Sequence, residues 1–184
     1  MAKVIGGMIM SLDGFVSDRN GSAAALYPDM DAMRDMEHMQ ESMRMTGAVL
    51  MGRRSYEMGN GDFTGYEYQV PLFVVTHQAP EQAAKGENEN MYFTFVTDGV
   101  ASAVRQAKAA AGENKVVTVV GGASLNQQLL KAGLLDELQV DIAPVLLGDG
   151  LRLFEHLAGH DIKLEKIKVT DSAFTTAFHF RVVR

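Results

Sequence analysis

Cysteine is absent from the 184 residues, which excludes disulfides, thiolate metal sites and a cysteine nucleophile. That absence fits a reducing compartment, and the expected location is the cytoplasm. No stretch approaches the roughly 20 uninterrupted apolar residues that a helical membrane span needs. The N-terminal Met1-Ala2-Lys3-Val4-Ile5 runs straight into strand-like sequence, without a long apolar signal core or a small-residue cleavage site. Lys/Arg-rich runs are also missing, and the formal charge is -6. A phosphate-covered partner is repelled on average, so nucleic acid is not an expected partner and neither is a membrane. A dinucleotide differs, because two or three local donors can hold it whatever the global charge.

The chain has the length of one substantial domain, able to bury about 70% of its unfolded surface. It shows no internal repeat and no low-complexity linker, so residues 1–184 are read as one domain. Lys3 to Met10 is apolar and glycine-containing, a buried strand. Asp29 to Met45 reads as one helix, with methionines at 33, 36, 39 and 43 forming a stripe. Ala48 to Met51, Pro71 to Thr76 and Met91 to Val96 read as strands. Asp98 to Ala111 is an alanine-rich helix with Asp98 as its expected cap and Gly112 as its stop. Val116 to Val120 is a buried strand, followed by a helix from about Ser124 to Ala132. Leu138, Val140 and Ile142 alternate with Gln139 and Asp141, which predicts a half-exposed strand. Phe178, Phe180 and Val182 alternate with His179 and Arg181, and together with Ile167 and Val169 they predict a C-terminal antiparallel hairpin. The order implies an α/β fold: a mixed, mostly parallel sheet with helices on both faces.

Three stretches carry candidate chemistry. Gly121-Gly122-Ala123-Ser124-Leu125 lies between a buried strand and a helix. Two glycines let backbone approach a bulky anion, and the helix start offers free N–H groups; the same residues also suit a plain tight turn. The spacing is not G-x-G-x-x-G, so the dinucleotide fingerprint of doubly wound folds does not apply. Gly52-Arg53-Arg54-Ser55 follows a second buried strand, placing forked cations at the sheet edge where α/β proteins bind ligands. The alternative is a solvated arginine pair, with Glu57 as an intrahelical partner. Ser11-Leu12-Asp13-Gly14-Phe15-Val16 leaves the first strand, as a loop over a ligand or as an ordinary turn. His156 and His160 are four apart, but Gly159 weakens a helix there and no third ligand is evident, so no metal is expected.

Taken in order, Met-Ser-Leu-Asp-Gly at 10–14, Met-Gly-Arg-Arg-Ser-Tyr-Glu at 51–57 and Val-Val-Gly-Gly-Ala-Ser at 119–124 resemble the dihydrofolate reductase superfamily. Gly-Leu-Leu-Asp-Glu-Leu at 133–138 and Ala-Pro-Val-Leu-Leu-Gly-Asp-Gly at 143–150 resemble its riboflavin-biosynthesis reductase branch, here as a stand-alone domain like the C-terminal domain of RibD. The resemblance spans about Lys3 to Val183 and implies an NADPH site. By that analogy Gly52, Arg53, Arg54 and Ser55 face the adenosine phosphates and pyrophosphate. Thr76 and His77 lie near the adenine ribose and its 2′-phosphate, and Gly121, Gly122, Ala123, Ser124 and Leu125 hold the pyrophosphate. The Gly121–Gly122 peptide is expected to be cis, as is common in the family. The loop from Ser11 borders the nicotinamide, with Asp13 as the candidate catalytic group that orients substrate or relays a proton.

Two departures bear on substrate. Dihydrofolate reductases hold pterin with an acid on the first helix, where this chain carries Met33, Met36 and Met39. The zinc deaminase domain of bifunctional riboflavin enzymes has no counterpart in this length or composition. The expected activity is hydride transfer from NADPH to a small pterin-, pyrimidine- or flavin-like substrate. Two other readings stay open: a non-catalytic dimeric nucleotide-binding module of the same fold, or an oxidoreductase that uses flavin. A homodimer is expected, with Ala143 to Leu147 as the candidate pairing region.

Overall fold

Eight strands form one sheet in the computed structural model, which describes every residue except 83 and 184. In spatial order they are β5 (Phe93–Val96), β4 (Leu72–Val75), β3 (Thr46–Gly52), β6 (Val116–Val120), β1 (Val4–Ser11), β7 (Glu137–Ala143), β10 (Thr176–Val183) and β9 (Lys163–Asp171). β5 through β7 are parallel; β10 and β9 close the sheet as an antiparallel hairpin. The α/β class, the mostly parallel sheet and the hairpin are those the sequence predicts. A two-stranded ladder of β2 (Phe15–Ser17) and β8 (Leu151–Arg152) was not foreseen, because each strand is too short to show a period.

One face of the sheet is sealed. α4 (Val100–Ala111) and α5 (Ala123–Lys131) lay Ala103, Val104, Ala107, Leu125, Leu129 and Leu130 over Leu50, Val119, Leu138 and Val140. Small alanines let α4 approach closely, and each fully buried leucine is worth about 1.5–3 kcal/mol. Asp98 does not cap α4. The helix starts at Val100 behind Gly99, whose φ of 101° turns the chain there and leaves Asp98 one residue too early.

The other face carries α1 (Met30–Arg34), α2 (Glu37–Met45) and α3 (Arg53–Met58), so helices flank both sides. The expected single helix from Asp29 to Met45 is broken. Asp29 accepts from the Ala32 N–H and starts α1, but Met36 is extended at ψ 136° and starts α2 anew. The break lets Met33 drop into a small core with Ile9, Leu26 and Ala143, while α2 turns away with no fully buried residue.

β7 is not half-exposed. It lies between β1 and β10, and even Glu137 and Asp141 are only 7% and 5% exposed. The alternation that predicts an exposed face instead marks a face of buried polar groups. Ala143 is the buried end of β7, and residues 144–150 are loop, so Ala143 to Leu147 offers no strand for pairing.

Candidate nucleotide and substrate site

The parallel register puts the ends of three strands side by side. Met51 of β3 pairs with Val120 of β6 and with Val74 of β4, and β6 neighbours β1. Gly52 and Gly121 follow directly, with Gly52 level with Val75 and one residue short of Thr76; on β1 Met8 stands at this level, and Ser11 lies three residues further along the strand. At about 4.8 Å per strand Thr76 and Gly121 lie roughly 10 Å apart, and Ser11 stands roughly 10 Å beyond that line along β1.

Gly52 and Gly121-Gly122 meet on this line. A side chain on Gly122 would come 3.6 Å from the Gly52 Cα and 3.3 Å from the Leu125 Cβ; one on Gly121 would collide with the Ser55 hydroxyl. Both glycines have positive φ, 73° and 87°, which L-residues adopt only under strain. No cis peptide bond occurs among the described residues, so the expected cis Gly121–Gly122 is not found. Two successive left-handed glycines make the turn into α5 without one. No side chain caps α5, so the N–H groups of its first turn face the open end.

The arginines divide. Arg53 Nε donates to Glu57 Oε1 at 2.6 Å within α3, the intrahelical pair that the sequence offered as an alternative. Arg54 is exposed and has no such pair. Beside them is a cavity of about 230 Å³, lined by Arg53, Tyr56, Thr76 and Gln78 among others. Thr76 is buried, and its hydroxyl donates to the Gln78 carbonyl at 2.8 Å, shaping the strand exit. His77 is exposed and does not line this cavity, whereas Gln78 and Tyr56 do. Those two were not singled out: Gln78 lies past the strand end, and Tyr56 is also a core residue, edge-on to Phe93 and Phe95.

Beyond that line Ser11 is fully buried, and its hydroxyl donates to Asp13 Oδ1 at 2.5 Å. Asp13 also accepts from the Leu147 N–H at 3.2 Å and the Gly148 N–H at 2.7 Å. The Ser11 hydroxyl and these two amides hold the Asp13 carboxyl below the usual carboxylate range, against an opposing push from partial desolvation. Leu12 N–H donates to the Val145 carbonyl and Leu153 N–H to that of Gly14, while the Arg152 guanidinium stacks 4.3 Å over Phe15. The 11–16 and 143–150 motifs, far apart in sequence, are thus one stitched unit. His156 and His160 lie in a loop rather than on one helix face.

An eight-stranded, mostly parallel sheet closed by an antiparallel hairpin is a dihydrofolate reductase-like fold. The profile of the RibD C-terminal domain matches residues 2–176, and the chain belongs to that family. The chain is 26% identical over 159 residues to the uncharacterized protein YyaP of Bacillus subtilis, covering 83% of this chain and 80% of that one. In fold it is similar to a diaminohydroxyphosphoribosylaminopyrimidine deaminase/5-amino-6-(5-phosphoribosylamino)uracil reductase of Thermotoga maritima. That match has TM-score 0.70 and 14% identity, over 99% of this chain and 57% of that one. It is also similar in fold to dihydrofolate reductase of Enterococcus faecalis, a structure complexed with NADP(H). There the TM-score is 0.64 at 13% identity, over 98% and 96% of the two chains. Among the described residues no helix is long and apolar enough to cross a membrane.

Proposed function

We propose that this chain is an NADPH-dependent reductase acting on a small heterocyclic substrate, a single domain with a cytoplasmic role in riboflavin-type chemistry. The observation that carries the reading is the meeting of Gly52 and Gly121-Gly122 at the sheet edge, a cradle that any added side chain would fill. Its residues fit a pyrophosphate: close backbone, uncapped N–H groups at Ala123, Ser124 and Leu125, and the Ser55 hydroxyl. Arg54, with no ion pair of its own among the described residues, is placed for a phosphate, and Arg53, Thr76 and Gln78 line the cavity suited to the ribose end, with the exposed His77 between the last two in sequence. NADPH supplies a hydride when bound; the chain's part is to bind, orient and exclude water.

Asp13 acts as a positioning residue in this reading. Its carboxylate is engaged by three donors, so it fixes the loop that borders the reacting end rather than carrying a proton. That same engagement favours the second reading, a module that binds NADPH without turnover. The chain also works as a homodimer here. The surface for it is the hairpin, where Leu164, Ile167 and Val169 are each 44–45% exposed on β9.

Calorimetric titration with NADPH and NADH tests the reading. Micromolar NADPH binding is expected, with Arg54→Glu weakening NADPH more than NADH. Absence of binding at millimolar NADPH overturns the proposal. NADPH binding with no oxidation across pterins, pyrimidines and flavins selects the second reading.

A further inference from the structure

β1 and β6 lie side by side in the middle of the sheet, yet among the described residues they share two rungs, Val4 with Val117 and Ile5 with Thr118. On its other side β1 stays with β7 as far as Ser11 against Ala143. The sheet therefore forks beyond Ile5, towards the C-terminal edge. Met8 and Met10 on one prong and Val120 on the other are only half-buried, although strands flank them on both sides. One prong leads to the Gly121-Gly122 cradle, the other to Ser11 and the Asp13 loop.

One side chain ties the prongs together. Asn126, on α5, is fully buried. Its Oδ1 accepts from the Gly7 N–H at 2.8 Å, and its Nδ2 donates to the Gly122 carbonyl at 3.2 Å. An aspartate of the same shape would only accept, and a leucine would do neither. β1 is cut to receive this side chain. A Cβ on Gly6 would come 2.5 Å from Asn126 Oδ1, and Gly7 has φ 137°, which glycine adopts without strain. The Gly122 carbonyl also accepts from the Asn126 backbone N–H at 3.0 Å, so α5 starts there whether or not the side chain helps. What the side chain adds is the link to β1.

We infer that Asn126 is a positioning residue: it fixes the spacing between the cradle and β1, and so places the far end of a bound dinucleotide against the Asp13 loop. This rests on the reductase reading above. A ligand confined to the cradle and the cavity beside Arg53 and Thr76 meets one prong, and its affinity is independent of the link. A ligand that reaches on to the Asp13 loop meets both, and it gains from the second contact only while the prongs keep their spacing. A core asparagine without this role would lower stability when replaced, and would weaken both kinds of ligand alike or neither.

The test uses the full chain, Asn126→Ser and two probes: NADPH, and 2′-phosphoadenosine diphosphoribose, the fragment that lacks the nicotinamide. Calorimetry well below the melting temperature should show wild type preferring NADPH by about 10-fold, a usual coupling for groups in one network. Asn126→Ser, too short to span the fork, should hold the fragment unchanged and lose that preference. Equal affinity of wild type for the two probes, an undiminished preference in Asn126→Ser, or a parallel loss of both probes each overturns the inference. Amide exchange without ligand reads the link itself: Gly7 should exchange at least about 10-fold faster in Asn126→Ser with α5 unchanged, and a rise throughout the core overturns the link. If Asn126→Ser fails to fold by circular dichroism, 15N spectra of wild type decide instead. The Asn126 side-chain amide and the Gly7 amide should then move further with NADPH than with the fragment, and stationary or equal shifts overturn the inference. Failure of wild type to bind either probe overturns the reductase reading and the dinucleotide placement with it. The exchange result still decides whether Asn126 joins the prongs, so the two fail separately.

Discussion

The two faces of the sheet are built from the same strands and covered in opposite ways. Under α4 and α5 the contact is close-packed, with Leu129, Val4 and Leu50 fully buried and small residues fitting the helices to the strands. Under α2 the same central strands carry Gly7, Thr118, Gln139 and Asp141, and the covering helix buries nothing completely. The difference separates a face that carries stability from one that carries little of it. A close-packed layer resists change, whereas a helix laid loosely over polar floor residues tolerates it.

Truncation on each face is the strongest way to break that contrast. Leu129→Ala opens a cavity in the sealed layer and should cost about 2–5 kcal/mol, lowering the melting temperature by roughly 5–15 °C. Met39→Ala, on half-buried α2, should cost under about 1 kcal/mol and alter ligand affinity more than melting. Equal thermal losses for the two would remove the distinction between the faces.

The glycines sharpen it next. Gly121→Ala meets both an unfavourable φ of 73° and the Ser55 hydroxyl, whereas Gly133→Ala has φ 64° and open space around it. Gly133→Ala should therefore cost only the backbone term, about 1 kcal/mol, and leave NADPH affinity intact. Gly121→Ala should cost more and abolish NADPH binding. Urea titrations and calorimetry separate strain from steric filling of the cradle.

Asp13 gives a pH signature at the edge between the two regions. Its carboxyl is held below the ordinary aspartate value of about 3.9 by the Ser11 hydroxyl, helped by the amides of Gly148 and Leu147. A depressed folded-state pKa stabilises above the unfolded value and loses that contribution as pH falls through the folded one. Amide-exchange protection at Leu147 and Gly148 should thus persist at pH 4 and fade only below it, and Asp13→Asn should lose protection at every pH. Fading that begins near pH 5 would mean the three donors do not hold the carboxylate as drawn.

Much of this was legible in the chain. A short apolar run marked β3 and a β-branched one β6, and glycines after each marked the turns that meet at the edge. Three things were hidden, each for a physical reason. The break at Met36 depends on Met33 finding Ile9 and Leu26, a tertiary contact that no local period encodes. The burial of β7 was masked because Glu137 is satisfied by the distant partners Lys3 and His179, and polar alternation reads as exposure. The Asp13 tie to residues 147–148 spans more than 130 positions, so the sequence offered Asp13 as a turn residue and candidate catalytic group without that tie.

The smallest expected effect concerns the arginine pair, and it separates two neighbours that look interchangeable in sequence. Arg53 and Glu57 are each more than half exposed, so their 2.6 Å contact is solvent-screened and contributes little to stability. Glu57→Gln should shift unfolding free energy by less than about 0.5 kcal/mol, within the range of surface substitutions. It should also free the Arg53 guanidinium, which lines the 230 Å³ cavity, and so leave NADPH affinity equal or slightly raised. A clear loss of NADPH affinity in Glu57→Gln, measured beside Arg54→Glu, would mean that Glu57 holds Arg53 in its binding pose, and that the two arginines act as one clamp rather than as a structural pair and a free cation.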